Sequence, residues 1–135
     1  VKNYSFKKVV LTLGPFRVRG FMAGSSIAVD QDEDKYTKDT GADGEVARVE
    51  SANEGGSITV TLQQTSPSND ELQAILDGGT VYPLQLKDLN GTTLHSAREA
   101  WPTKVAPNDW AKEFNGRVWK LDCAKLKQYV GGGLV

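Results

Sequence analysis

The chain has 135 residues, a formal net charge of −1, one cysteine and one histidine. That length suits one domain, residues 1–135, with a core that needs no staples. The composition excludes an intrachain disulfide and metal sites built on several cysteines or histidines, and no apolar run approaches the ~20 residues of a membrane span.

Charge is segregated along the chain. Residues 1–26 carry five basic groups and no acid, residues 27–56 nine acids against three bases, and residues 100–135 six bases against three acids. An acidic middle between basic ends lets one face of a subunit attract a different face of its neighbour.

Most segments predict strands. Tyr4 to Leu13 is rich in aromatic and β-branched residues and stops at Gly14-Pro15. Phe16 and Val18 alternate with Arg17 and Arg19, a period-2 pattern with a cationic outer face. Gly24-Ser25-Ser26 breaks the chain. Ile27 and Val29 then alternate with Ala28 and Asp30 before an acidic stretch, Asp30 to Asp34. Gly41-Ala42-Asp43-Gly44 marks a turn, and Val46 to Glu50 resumes a strand. Ile58, Val60 and Leu62 alternate cleanly with Thr59, Thr61 and Gln63.

One helix is predicted. Ser66-Pro67-Ser68-Asn69-Asp70-Glu71 combines a capping side chain, a proline and acids near the positive end of the dipole. Leu72, Ile75 and Leu76 share one face, and Gly78-Gly79 ends the helix. Val81 to Leu89 and Thr92 to Trp101 read as a hairpin about a two-residue Asn90-Gly91 turn. Arg117 to Asp122 reads as a last strand with Trp119 and Leu121 on one side. The glycine-rich tail, Val130 to Val135, is expected to stay loose until something binds it. Together these elements predict a mainly β fold, a sandwich or barrel with one short flanking helix.

No constellation carries chemistry. His95 is expected to be a polar residue on the surface or facing a lumen. Asp30-x-Asp32-x-Asp34 has the opening spacing of a calcium loop, but the sixth and twelfth positions are Lys35 and Gly41 where glycine and glutamate are needed. The glycines of Gly20 to Ser26 lack the lysine of a phosphate loop. Cys123 reads as a small buried hydrophobe, and the three tryptophans as core or interface anchors. Catalytic, cofactor and metal residues are therefore expected to be none.

Two stretches carry a resemblance: residues 34–51, DKYTKDTGADGEVARVES, and residues 58–76, ITVTLQQTSPSNDELQAIL. Both resemble the inner tail-tube proteins of contractile-tailed phages, a superfamily similar to type VI secretion and bacteriocin tubes. The order also matches: a basic N-terminal strand, an extended acidic hairpin, a Thr/Gln-rich strand and a helix.

The resemblance implies a virion subunit assembled in the host cytoplasm. It would self-assemble into hexameric rings that stack into a tube inside a sheath. Further partners would be baseplate and tape-measure proteins, and DNA would pass without specific binding. The interface candidates are Asp30, Asp32, Glu33, Asp34, Lys35, Tyr36, Asp43, Arg17 and Arg19. Thr59, Thr61 and Gln63 are the lumen candidates, with Val46 to Glu50 extending the same wall. The alternative is a β-barrel accessory domain that binds a small ligand or a carbohydrate.

Overall fold

The computed structural model describes residues 3–24, 27–113 and 115–132. Parts of the expected break at Gly24–Ser26, of the segment ending at Phe114 and of the tail lie outside them. The order is β1 (Val9–Leu13), β2 (Phe16–Val18), β3 (Ala28–Gln31), β4 (Tyr36–Thr40), β5 (Val46–Glu50), β6 (Gly56–Gln63), α1 (Ser68–Gly78), β7 (Tyr82–Asp88), β8 (Leu94–Pro102), β9 (Gly116–Cys123) and β10 (Leu126–Tyr129). No helix among the described residues is long and apolar enough to cross a membrane.

Eight strands form one bent sheet in the order β2-β1-β7-β8-β9-β6-β3, with β10 also on β8. It is sandwich-like and does not close into a barrel. One half is β2-β1-β7-β8-β10 and the other is β9-β6-β3. Their inner faces are apolar: Leu11, Leu13, Val18, Leu84 and Leu86 from the first, Ile58, Val60, Leu62, Trp119 and Leu121 from the second, all buried in one core. The alternation of β6 has the expected facing. Ile58, Val60 and Leu62 are fully buried, whereas Thr59, Thr61 and Gln63 lie on the other side.

The helix lies where its apolar stripe predicts. Leu72 and Ile75 are buried, and Leu76 is half-buried against the same core. The start differs from expectation. Pro67 occupies the cap position, and no side chain caps there. Ser66 instead accepts the Ser68 N–H at 3.2 Å and donates to the Arg19 carbonyl at 2.6 Å. The serine thus ties the helix to the end of β2, at the cost of leaving the conventional cap unmade. Gly79 ends the helix at φ 64°, a conformation glycine adopts without strain.

Four further expectations change. The first strand starts at Val9, because Phe6–Lys8 forms a short 3-10 turn capped by Ser5. The β7–β8 connection spans residues 89–93 and is not a two-residue turn. Asn90 is buried there, with its side chain accepting from Ser5 N–H at 3.0 Å and donating to Ser5 O at 2.9 Å. Its amide clamps the N-terminal segment, and that fixes the longer loop. Residues 126–129 form a strand that had not been expected, β10. Finally, the tail is pinned as far as Gly132: Thr93 exchanges hydrogen bonds with Gly131, and Thr92 donates to the Gly132 carbonyl.

Leu72→Ala is expected to cost ~2–5 kcal/mol, the usual range for a buried leucine. Leu76→Ala, at a half-buried site, should cost about 1 kcal/mol. Chemical denaturation of the two variants checks the order, and equal losses would contradict this packing of α1.

Candidate functional site: the assembly surfaces

β4 and β5 form a two-stranded sheet of their own. Every residue from Asp30 to Glu50 is exposed. Within the subunit, Val46 to Glu50 pairs only with β4 and does not continue the sheet of Ile58 to Gln63. The reason lies in the pattern: Thr37, Lys38, Asp39, Ala47 and Arg48 offer neither face an apolar row to pack.

In register, Tyr36, Lys38 and Thr40 share one face with Glu50, Arg48 and Val46. The Arg48 guanidinium stacks 4.1 Å from the Tyr36 ring centre, and this is the main ordering contact of that face. Thr37, Asp39, Ala47 and Val49 form the other face. At the tip, Gly41 N–H bonds the Glu45 carbonyl at 2.7 Å and Gly44 turns the chain at φ 89°. At the base, Ser51 N–H bonds the Lys35 carbonyl at 2.8 Å, and Ser51 Oγ donates to Glu33 at 2.8 Å. The hairpin is thus held at its root and bare along its length. Val46, Val49 and Tyr36 are 64, 53 and 41% exposed.

The sequence-derived interface residues split into two groups. Asp30 lies on β3, Asp32 to Lys35 in the connector, Tyr36 on β4 and Asp43 at the tip, all exposed. Arg17 on β2 and Arg19 just after it are also exposed, but on the opposite end of the strand order. The structure gathers the acids on one projection and leaves these arginines on a separate sheet margin.

Two sheet faces are also open. Across β2-β1-β7-β8-β10 a row runs Arg17, Thr12, Gln85, Ser96, Lys127, cationic at both ends. Across β3-β6-β9 the rows are Ala28, Thr59, Lys120 and Asp30, Ser57, Asp122, with Thr61 beside Val118. Lys120 lies one row from Asp30 and Asp122 on that face, which is close to neutral. The hairpin root overhangs the first face and encloses a groove of about 1070 Å3 with Gln85, Ser96, Arg98, Lys125 and Lys127 below it.

Four single residues stand apart. Cys123 is buried, and burial with Asp122 and Asp32 nearby pushes its thiol up to about 11. His95 corrects expectation: it points inward, 7% exposed, because Leu86 and Ala97 fix the register of β7 and β8 and leave Leu94 outward. Burial lowers its pKa below the ordinary 6.5. Trp119 is in the core and its indole N–H donates to Asn69 at 2.9 Å, whereas Trp110 is 76% exposed on the loop after β8.

The fold is a bent, incompletely closed β-sandwich with a bare projecting hairpin. Residues 3–131 match the Bacteriophage PhiTE tail tube protein family, and the chain belongs to that family. A curated relative, structural protein ORF10 of Pseudomonas phage KPP10, is 29% identical over 120 residues, covering 84% of this chain and 69% of its own. Solved structures share the fold at low identity. The sheath/tube terminator of the extracellular contractile injection system PVC has a TM-score of 0.63 at 12% identity, covering 95% of this chain and 97% of its own. The tube-terminating cap of the anti-feeding prophage gives 0.60 at 12%, covering 94% and 91%. A PVC sheath–tube complex chain gives 0.59 at 14%, also covering 94% and 91%.

The lowered pKa of His95 has a sign. The unfolded chain binds this proton more tightly than the folded one, so His95 lowers stability as pH falls below about 6.5 and through the folded value. His95→Gln should flatten that part of the stability profile relative to the parent. Parallel pH profiles of the two proteins would contradict the inward placement.

Proposed function

We propose that the chain is the subunit of an inner tail tube in a contractile phage-like particle, built from stacked hexameric rings. The observation that carries this reading is the bare hairpin. An isolated two-stranded sheet is marginal in water, yet this one leaves Val46 and Val49 more than half exposed and Tyr36 covered only by the side chains beside it. A neighbouring copy supplies the missing cover. Acids concentrated between Asp30 and Glu50 then meet basic surface such as Arg17 and Arg19. Because the two surfaces differ, the contact is heterologous and closes into a ring when the rotation per subunit divides a full turn.

The channel wall in this reading is the outer face of β3-β6-β9, with Thr59, Thr61 and Gln63 toward the lumen. Hydroxyls and amides with balanced charge keep such a wall wetted and give phosphates little to hold. The row ended by Arg17 and Lys127 would neutralise phosphates and release counterions, so it suits an outer or intersubunit surface. The sheath contacts the outside of the tube, and baseplate and tape-measure proteins meet its end and its lumen. The particle assembles in the host cytoplasm, and DNA passes without specific binding. The domain acts as one unit over residues 1–135.

Negative-stain microscopy of concentrated protein should show rings or tubes. Asp32→Lys with Asp34→Lys should raise the concentration needed for assembly and leave the melting temperature nearly unchanged, since both side chains are exposed. Amide exchange over residues 36–50 should be fast in the monomer and slow in the assembled form. Equal exchange in both states would remove the hairpin from the interface, and a monomer at every concentration and salt would remove the tube.

A further inference from the structure

A hollow of about 460 Å3 beside β3 has His95 and one acid, Asp88, in its lining. The larger groove under the hairpin root, about 1070 Å3, is better furnished with charge. Its wall is the root itself, with Lys35, Glu50 and Glu54. Its floor is the outer face of β7, β8 and β10 with the turn before β10, and carries Arg98, Glu99, Lys125 and Lys127. Two backbone bonds hold the root: Leu126 N–H to the Glu54 carbonyl at 2.9 Å, and Asp32 N–H to the Gly55 carbonyl at 3.1 Å. The first of them ties wall to floor, so the groove is shaped before anything enters it.

The lining does not resemble that of a small-molecule pocket. Such pockets run to ~1,000 Å3 and are mainly apolar, whereas this one has four bases and three acids in its lining, net +1. The floor alone has three bases and one acid, net +2. Among the described residues, Arg98, Lys125 and Lys127 make no ion pair.

The tip of the hairpin has the opposite character. Residues 39–47 carry Asp39, Asp43 and Glu45 and no base, net −3, and all of them are exposed. The tip is a narrow ribbon of two strands ~4.8 Å apart. It cannot reach the groove of its own subunit. Five paired positions, Tyr36↔Glu50 to Thr40↔Val46, separate it from the root, about 17 Å at ~3.4 Å per residue, and the root is the wall of that groove.

We propose that the hairpin tip of one copy enters the groove of the next copy, with Asp39 and Glu45 against Arg98 and Lys127. The occupant is a second copy of this chain because its tip matches the floor in charge, net −3 against net +2, and has no access to the groove beside it. Tip and groove are different surfaces of one chain, so the contact is heterologous and repeats from copy to copy. The inference rests on the self-assembly reading above and names the surface that receives the tip.

The experiment measures the concentration for half-assembly by sedimentation velocity, at low and high salt, with thermal unfolding as the folding control. It compares the parent, Asp39→Lys with Glu45→Lys, Arg98→Glu with Lys127→Glu, and a chain carrying all four changes. Asp43 is kept because its carboxylate accepts the Glu45 N–H at 3.4 Å in the turn. The four altered side chains are exposed, so the melting temperatures should stay close to the parent's. Each pair alone is expected to raise the concentration for half-assembly at least ~10-fold, since like charges then face each other. The chain with all four changes restores opposite signs and should return to near the parental concentration. High salt should weaken the parent and narrow the differences.

If a reversed pair does not fold, the neutral pairs Asp39→Asn with Glu45→Gln and Arg98→Gln with Lys127→Gln replace it. Their combination should then lose no more than either pair alone. A reversed pair that assembles at the parental concentration overturns the proposal, and so does a chain with all four changes that assembles no better than the separate pairs. In either case a parent that forms tubes leaves the tail-tube reading standing. A parent that stays monomeric at every concentration overturns both.

Discussion

The structure depends on one shared strand. β9 and β10 follow one another along the same side of β8, in a single continuous register from Pro102↔Leu121 to Leu94↔Tyr129. The ladder loosens only about Arg98 and Glu99, where Ala124 N–H still bonds the Glu99 carbonyl at 3.1 Å. On its other side the first part of this run pairs with β6 over eight residues, and the second part does not. The strand therefore leaves one half of the sheet and stays with the other. That divergence folds the sheet over its own apolar face and creates the core. It also leaves β3 and β10 apart, and the cavity at His95 lies between them.

The same bend decides what the subunit can bury alone. Residues facing the fold reach full burial, as Ile58, Val60, Leu62 and Leu121 do. Residues beyond it have no such partner. Between β3 and β6 the chain leaves the sandwich and returns, and the excursion is the β4–β5 hairpin. Its conformation is set by local hydrogen bonds and by Arg48 on Tyr36, so its stability is of a different order from that of the core. Local opening in proteins spans from near zero to the global value, and this hairpin belongs at the low end until a neighbour covers it.

Much of this was legible in the sequence where side chains alternate strictly. β6 could be read residue by residue, because three apolar and three polar positions admit only one facing. The helix could be read from its stripe, but not its start, since Pro67 holds the cap position and Ser66, one residue earlier, bonds both Ser68 N–H and the Arg19 carbonyl. His95 was misread because Leu94 beside it is the apolar residue. The register is set elsewhere, by Leu84, Leu86 and Ala97, and a one-residue choice of register reverses every side chain. β10 is not legible because only Leu126 of its four residues is buried. The detachment of the hairpin is not written in local propensity at all: Val46 to Glu50 reads as a strand, and it is one. What the pattern lacks is a second apolar row, and that deficit is visible only once the other strands have found their partners.

Charge gives the surface of the subunit its asymmetry. The chain has 16 basic and 17 acidic side chains, yet among the described residues the one ion pair is Arg117–Asp109, at 3.9 Å. A subunit selected for its own stability gains little from surface pairs, so their scarcity alone decides nothing. Their arrangement does. The acids gather on a projection and the arginines of β2 lie at the far end of the strand order, so like surfaces of two copies repel and unlike surfaces attract. A contact between two copies is favoured where the acidic hairpin of one meets the basic margin of the other, and disfavoured where like meets like.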